Sequence, residues 1–153
     1  MRKLKNIIIL LSIFSLFGCM EYKEVELVEV KEVAVRVFSM KEIRLVAYMQ
    51  IHNPNNYKIA ITEADMELFV KGEKIGNAKL DNTIVLPKNS NEVYEALVFT
   101  PMSEMQTNAI PTILSVIGQP TVPVHVKGYV KGKVKGVAKK IPVEFTDNVR
   151  LKR

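Results

Sequence analysis

From Val33 onward, apolar and polar positions alternate with a period of two. Val33, Val35 and Val37 fall on one phase, and Ala34, Arg36 and Phe38 on the other. Ile43, Leu45, Ala47, Met49 and Ile51 repeat the rhythm until Asn53-Pro54-Asn55-Asn56 stops it. Successive side chains of a strand point to opposite faces, so a strand with one buried face reads this way. Ala64, Met66, Leu68 and Val70 alternate with Asp65, Glu67, Phe69 and Lys71, then Gly72-Glu73-Lys74 reads as a turn into a return strand from Ile75 to Leu80. A short strand is expected from Thr83 to Leu86, and a longer one carries Val93, Glu95, Leu97 and Phe99 after the polar loop 88–91. Thr100 to Gly118 breaks the pattern. Ile113, Leu114 and Ile117 recur at helical spacing, Ser103 and Gln106 have the spacing of a capping box, and Gly118 suits the position after a helix end. Pro111 either kinks this helix or starts its second part. Two further strands follow, one carrying Val122, Val124, Val126 and Val130, the other Val137, Ile141, Val143 and Phe145, with 149–151 as an added edge. Turn chemistry recurring every 8–12 residues predicts an all-β sandwich of the immunoglobulin or fibronectin-III kind, with about seven strands and one short helix near residues 101–118.

The region before Val33 follows another rule. Arg2, Lys3 and Lys5 precede eleven residues, Ile7 to Phe17, that are apolar apart from Ser12 and Ser15. Eleven is too short to cross a bilayer, which needs about 20, and suits the core of a secretory leader. The leader ends in Leu16-Phe17-Gly18-Cys19, which resembles the lipobox of bacterial lipoproteins, with Cys19 as the site of lipid attachment. Cys19 is the sole cysteine of the chain, so no internal disulfide competes for it. Residues 1–18 are thus expected to be a lipoprotein signal peptide, 19–32 an acidic tether with the start of the first strand, and 33–153 the folded domain. The leader holds three of the 22 basic residues and none of the 16 acidic ones, leaving 19 against 16 and a net charge of +3. The apparent basicity of the whole chain therefore gives little support to nucleic-acid binding.

Within the domain a recognisable series appears. Tyr48-Met49-Gln50-Ile51-His52-Asn53-Pro54-Asn55 is followed by Tyr57 to Ile61, Leu68-Phe69-Val70-Lys71-Gly72, Ile75-Gly76, Ile84-Val85-Leu86-Pro87 and Val126-Lys127-Gly128. This series resembles the late embryogenesis abundant type 2 family, also called the water-stress and hypersensitive-response (WHy) domain. The likeness covers roughly Val33 to Phe145, and Asn53-Pro54-Asn55 is its most specific part. It implies a fibronectin-III-like sandwich with a helix between late strands, no catalytic residues, and a link with osmotic or desiccation stress. The turn chemistry stands without a ligand, because Pro54 fixes its own φ and Asn side chains bond the backbone two residues on. The motif is read as a turn that sets register, with a recognition loop as the alternative.

Catalytic chemistry finds few candidates. The paired acids Glu24/Glu26 and Glu63/Asp65/Glu67 alternate on expected solvent faces, and no nucleophile elbow accompanies His52 or His125. No cofactor, metal site or enzymatic activity is expected. Lys127, Lys131, Lys133, Lys135, Lys139 and Lys140 fall within a fourteen-residue stretch without acids. They read either as protection of a sheet edge or as a contact for anionic lipid or lipopolysaccharide. The expected function is that of a non-enzymatic protein, monomeric and lipid-anchored in the bacterial envelope, on the periplasmic face of the outer membrane, binding or protecting envelope components. The alternative is an adhesin or assembly-scaffold subunit that engages an envelope protein.

Overall fold

The computed structural model describes residues 22–152; Leu16, Phe17, Gly18 and Cys19 lie outside the described residues. The elements are β1 (Glu26–Phe38), β2 (Glu42–Asn53), β3 (Ile59–Val70), β4 (Glu73–Leu80), β5 (Ile84–Leu86), β6 (Ser90–Pro101), a 3-10 turn (Met102–Glu104), α1 (Ala109–Val116), β7 (Thr121–Val134) and β8 (Val137–Lys152). The alternating segments are all strands, but longer than expected. Six of them run to 12 or more residues, about 40 Å at some 3.3 Å per residue. β1 begins at Glu26, inside the segment expected to be mainly tether.

The expected two-sheet sandwich is not what these strands build. They form one eight-stranded sheet in the order β4-β6-β2-β1-β8-β7-β3-β5, and β4 pairs with β3 as well as β6. That extra pairing closes seven strands into a barrel-like ring, with β5 paired to β3 beyond the end of β4. Two seams of the ring are thin. β4 meets β6 only at Lys79–Phe99 and Leu80–Val98; β1 meets β8, in parallel, only at Val33–Leu151 and Ala34–Lys152. A sandwich keeps the edges of its sheets apart, whereas here β4 bridges both halves and the C-terminal tail reaches β1. The tail thus adds to the sheet between two neighbours rather than as an edge.

Two hairpins turn on consecutive residues with positive φ, Lys71-Gly72 (+53° and +84°) and Lys135-Gly136 (+46° and +89°). Both central residues of a type I′ turn need this region, and its twist matches that of the flanking strands. The first turn therefore precedes the expected Gly72-Glu73-Lys74, and Glu73 already belongs to β4. At Gly128 the requirement is space. A Cβ there would lie 2.2 Å from the Asp65 carbonyl oxygen across the β3–β7 ladder.

The helix is shorter than the broken pattern suggested. Ser103 sits in the 3-10 turn and makes no capping box, because α1 starts at Ala109 and its N-cap Asn108 supplies no side-chain bond. Pro111 falls in the first turn of α1, where its missing N–H has no intrahelical partner to lose. Gly118, at φ +89°, ends the helix. Two apolar clusters pack the interior. One holds Ile51, Ile59, Ile84, Leu86 and Ala96, at the end where β2 finishes and β3 and β6 begin. The other holds Val70, Ile75, Ala109, Val116 and Val122, at the end capped by α1.

Candidate functional site

The Asn53-Pro54-Asn55 turn closes one end of the ring. Asn53 and Asn55 are 0% and 2% exposed, and amides that deep require partners. The Asn53 Nδ2 donates to the carbonyls of Tyr57 (3.0 Å), Leu86 (3.3 Å) and Pro87 (2.7 Å). Its Oδ1 accepts the backbone N–H of Asn55 at 3.1 Å and the Asn55 Nδ2 at 3.0 Å. The i to i+2 bond is the turn-forming contact anticipated for an asparagine here. Asn55 does something further. Its Oδ1 accepts the Lys23 N–H at 2.8 Å while its Nδ2 donates to the Lys23 carbonyl at 2.7 Å. One side-chain amide thus imitates a paired strand residue and fixes the incoming chain four residues after Cys19.

The six lysines sit on β7 and β8, around the hairpin turn at the same end. Val134, which leads into that turn, packs on the same cluster as Val25 and Tyr57. The sequence shows no acid among them, but the fold supplies acids from next door. Register places Lys131 opposite Glu63 and Lys127 opposite both Glu67 and Glu144. Lys131 Nζ lies 3.2 Å from Glu63 Oε2, and the Tyr129 hydroxyl donates to Glu63 at 3.0 Å. Those bonds from Lys131 and Tyr129 hold the Glu63 carboxyl below its usual range. Lys140 covers the Tyr129 ring at 3.9 Å. Lys133, Lys135 and Lys139 cluster nearest the turn and are exposed. β7 is held between β3 and β8 and is not a sheet edge, whereas β8 meets β1 only at Leu151 and Lys152, so among the described residues Lys139 and Lys140 stand on a strand paired on one side.

A third feature had no sequence signature. The inward phases of β1, β2, β3, β6, β7 and β8 surround a cavity of about 740 Å³, roofed by Met105, Ile113 and Val116 near α1. Among the described residues its wall carries no titratable side chain, and Thr100 and Gln119 are the only polar ones. Apolar space that a chain's own side chains leave unfilled costs about 24 cal/mol per Å³. Stability alone would favour larger inward side chains. Valine is the commonest residue of the wall, set among Ile, Leu and Phe side chains, with the small Ala47, Ala64 and Ala78 and the adaptable Met49, Met66 and Met105. Val35, Phe38, Ile117, Gly118 and Pro120 line the cavity and are also exposed. They mark its mouth, at the end of the ring away from Asn55.

The remaining candidates do not converge. His52 Nδ1 lies 3.8 Å from Glu26 Oε2. His125 is half-buried rather than exposed, with Nδ1 2.8 Å from the Thr146 hydroxyl and its ring 5.3 Å from that of Phe69. Among the described residues no three His, Cys, Asp or Glu side chains group as metal ligands, and no helix is long and apolar enough to cross a membrane.

A family model described as late embryogenesis abundant protein, LEA type 2, matches residues 48–148, about two thirds of the chain. The chain belongs to this family. The LEA type 2 match begins in β2, takes in the Asn-Pro-Asn turn and ends in β8. The solution structure of an Arabidopsis thaliana protein superposes with a TM-score of 0.51 at 16% identity, over 90% of this chain and 91% of that one. A crystal structure of a protein from Archaeoglobus fulgidus gives a TM-score of 0.49 at 10% identity, over 87% and 99% of the two chains. The likeness to the Arabidopsis structure, at 16% identity, speaks for the fold alone. No curated protein sequence matches the chain.

Proposed function

We propose that this LEA type 2 chain is a non-enzymatic lipoprotein of the bacterial envelope, anchored through Cys19 and binding or protecting envelope components under osmotic or drying stress. The observation that carries this reading is the clamp of Asn55 on Lys23. Four extended residues span at most about 14 Å, so an acyl chain on Cys19 would hold the Asn55 end of the ring against the bilayer. Lys133, Lys135 and Lys139 stand at that same end, where anionic headgroups attract each basic residue by about 1 kcal/mol.

The test is metabolic labelling of the full chain with palmitate, beside fractionation of the membranes. Wild type is expected to carry label and sediment with the envelope, and Cys19→Ala to lose both. Equal labelling of the two proteins overturns the anchor.

A further inference from the structure

We infer that the cavity is a binding site for one long acyl chain, which enters through the mouth formed by Phe38, Ile117 and Pro120 and leaves its polar headgroup outside. The wall fits this class of ligand and few others. An acyl chain is apolar along its length and asks for no polar partner inside. The wall offers only Thr100 and Gln119, and no charge to neutralise a buried headgroup. A methylene fills roughly the 30 Å³ that a water molecule takes in the liquid. The 740 Å³ therefore accommodate a chain on the order of twenty carbons with its bends. A peptide segment fits poorly, because the surrounding strands already spend their backbone groups on one another and an inserted peptide would bury unpaired amides.

The mouth has its own chemistry. Phe38 and Ile117 are 54% and 67% exposed, and Met40, two residues after Phe38, is 95% exposed. Large apolar side chains held in water like this mark a surface that meets lipid or another apolar body. Exposed Arg36 and Lys41 stand within three residues of Phe38, where a carboxylate or phosphate headgroup would lie. The thin β1–β8 seam runs down the same wall, from Val33–Leu151 toward Val30 and Phe145. A ring held there by two paired positions opens more readily than a fully laddered one.

The inference rests on the envelope reading only for the source of the lipid, and the experiment separates the two. Cells producing the full chain are fed a palmitate analogue bearing a diazirine and an alkyne, and are then irradiated. Light-dependent adducts are expected on peptides of the wall, such as 64–70 and 122–126, whereas light-independent label on Cys19 reports the anchor alone. An adduct mass equal to the free acid or to a glycerophospholipid identifies which source supplies the chain. Ala64→Leu and Ala47→Phe, which fill the cavity from opposite walls, should each lower the wall adducts at least tenfold. Ile117→Asp at the exposed mouth should do so without touching the interior. Protease resistance of each variant in the same cells verifies folding. Wall adducts that are missing from wild type, or undiminished in all three folded variants, overturn the inference whether or not Cys19 is labelled.

Discussion

The two ends of the ring are built from similar strands and solve opposite problems. At the Asn55 end, Leu86 is 0% exposed and packs with Ile51, Ile59 and Ile84, while two buried amides tie down Tyr57, Pro87 and Lys23. Val25, Leu27, Tyr57 and Tyr94 pack against that cluster as well. At the α1 end, valine, alanine and larger apolar side chains line a hollow, and the helix roofs it through Ile113 and Val116. The alternation of polar and apolar residues is equally clean at both ends. Orientation and volume are therefore separate properties: period two decides which side chains point inward, and their size decides whether the interior closes.

Truncation should separate the ends most sharply. Leu86→Ala, in the filled cluster, is expected to cost about 4 kcal/mol by denaturant unfolding, whereas Leu45→Ala on the cavity wall should cost only about 1, since one side of Leu45 faces space without packing partners. Equal losses would mean that the hollow collapses in solution. Asn53→Ala comes next, at about 3 kcal/mol, because it takes the amide from the buried Leu86 carbonyl, from the part-buried Tyr57 and Pro87 carbonyls and from Asn55. A loss below 1 kcal/mol would reduce the motif to an ordinary turn.

Filling should reverse the sign at one end only. Ala64→Leu is expected to raise stability by about 1 kcal/mol, within the usual yield of cavity-filling changes. Ala96→Leu, in the packed cluster, should destabilise by about 1–3 kcal/mol through overpacking. The smallest effect concerns Glu63. Its folded carboxyl titrates below the ordinary value of 4.5 because Lys131 and Tyr129 bond it. The Glu63–Lys131 contribution is thus complete above the unfolded value and disappears as pH falls through the folded one. A carbon-detected titration should show the Glu63 midpoint moving up toward 4.5 in Lys131→Gln; an unchanged midpoint would remove the pair from the account.

The local elements are legible along the chain. Period two placed the strands, Gly118 ended the helix at positive φ, and Asn53-Pro54-Asn55 marked both a strand end and the family. Those signals are short-range, because backbone dihedrals and face alternation are set within a few residues. Closure of the sheet was not legible. It depends on β4 reaching both β3 and β6, contacts between segments far apart in the chain. Nor was the neutralisation of Lys131 by Glu63, 68 residues away, or the clamp of Asn55 on Lys23, 32 residues away. Tertiary structure alone decided the cavity, since a valine reads the same in a pattern whether it faces another side chain or open space. The only trace was a shortage of bulk, with no Trp in the chain and Phe38 and Phe145 the only aromatic residues on the wall. Volume is a property of facing walls, and facing walls exist only once the ring has closed.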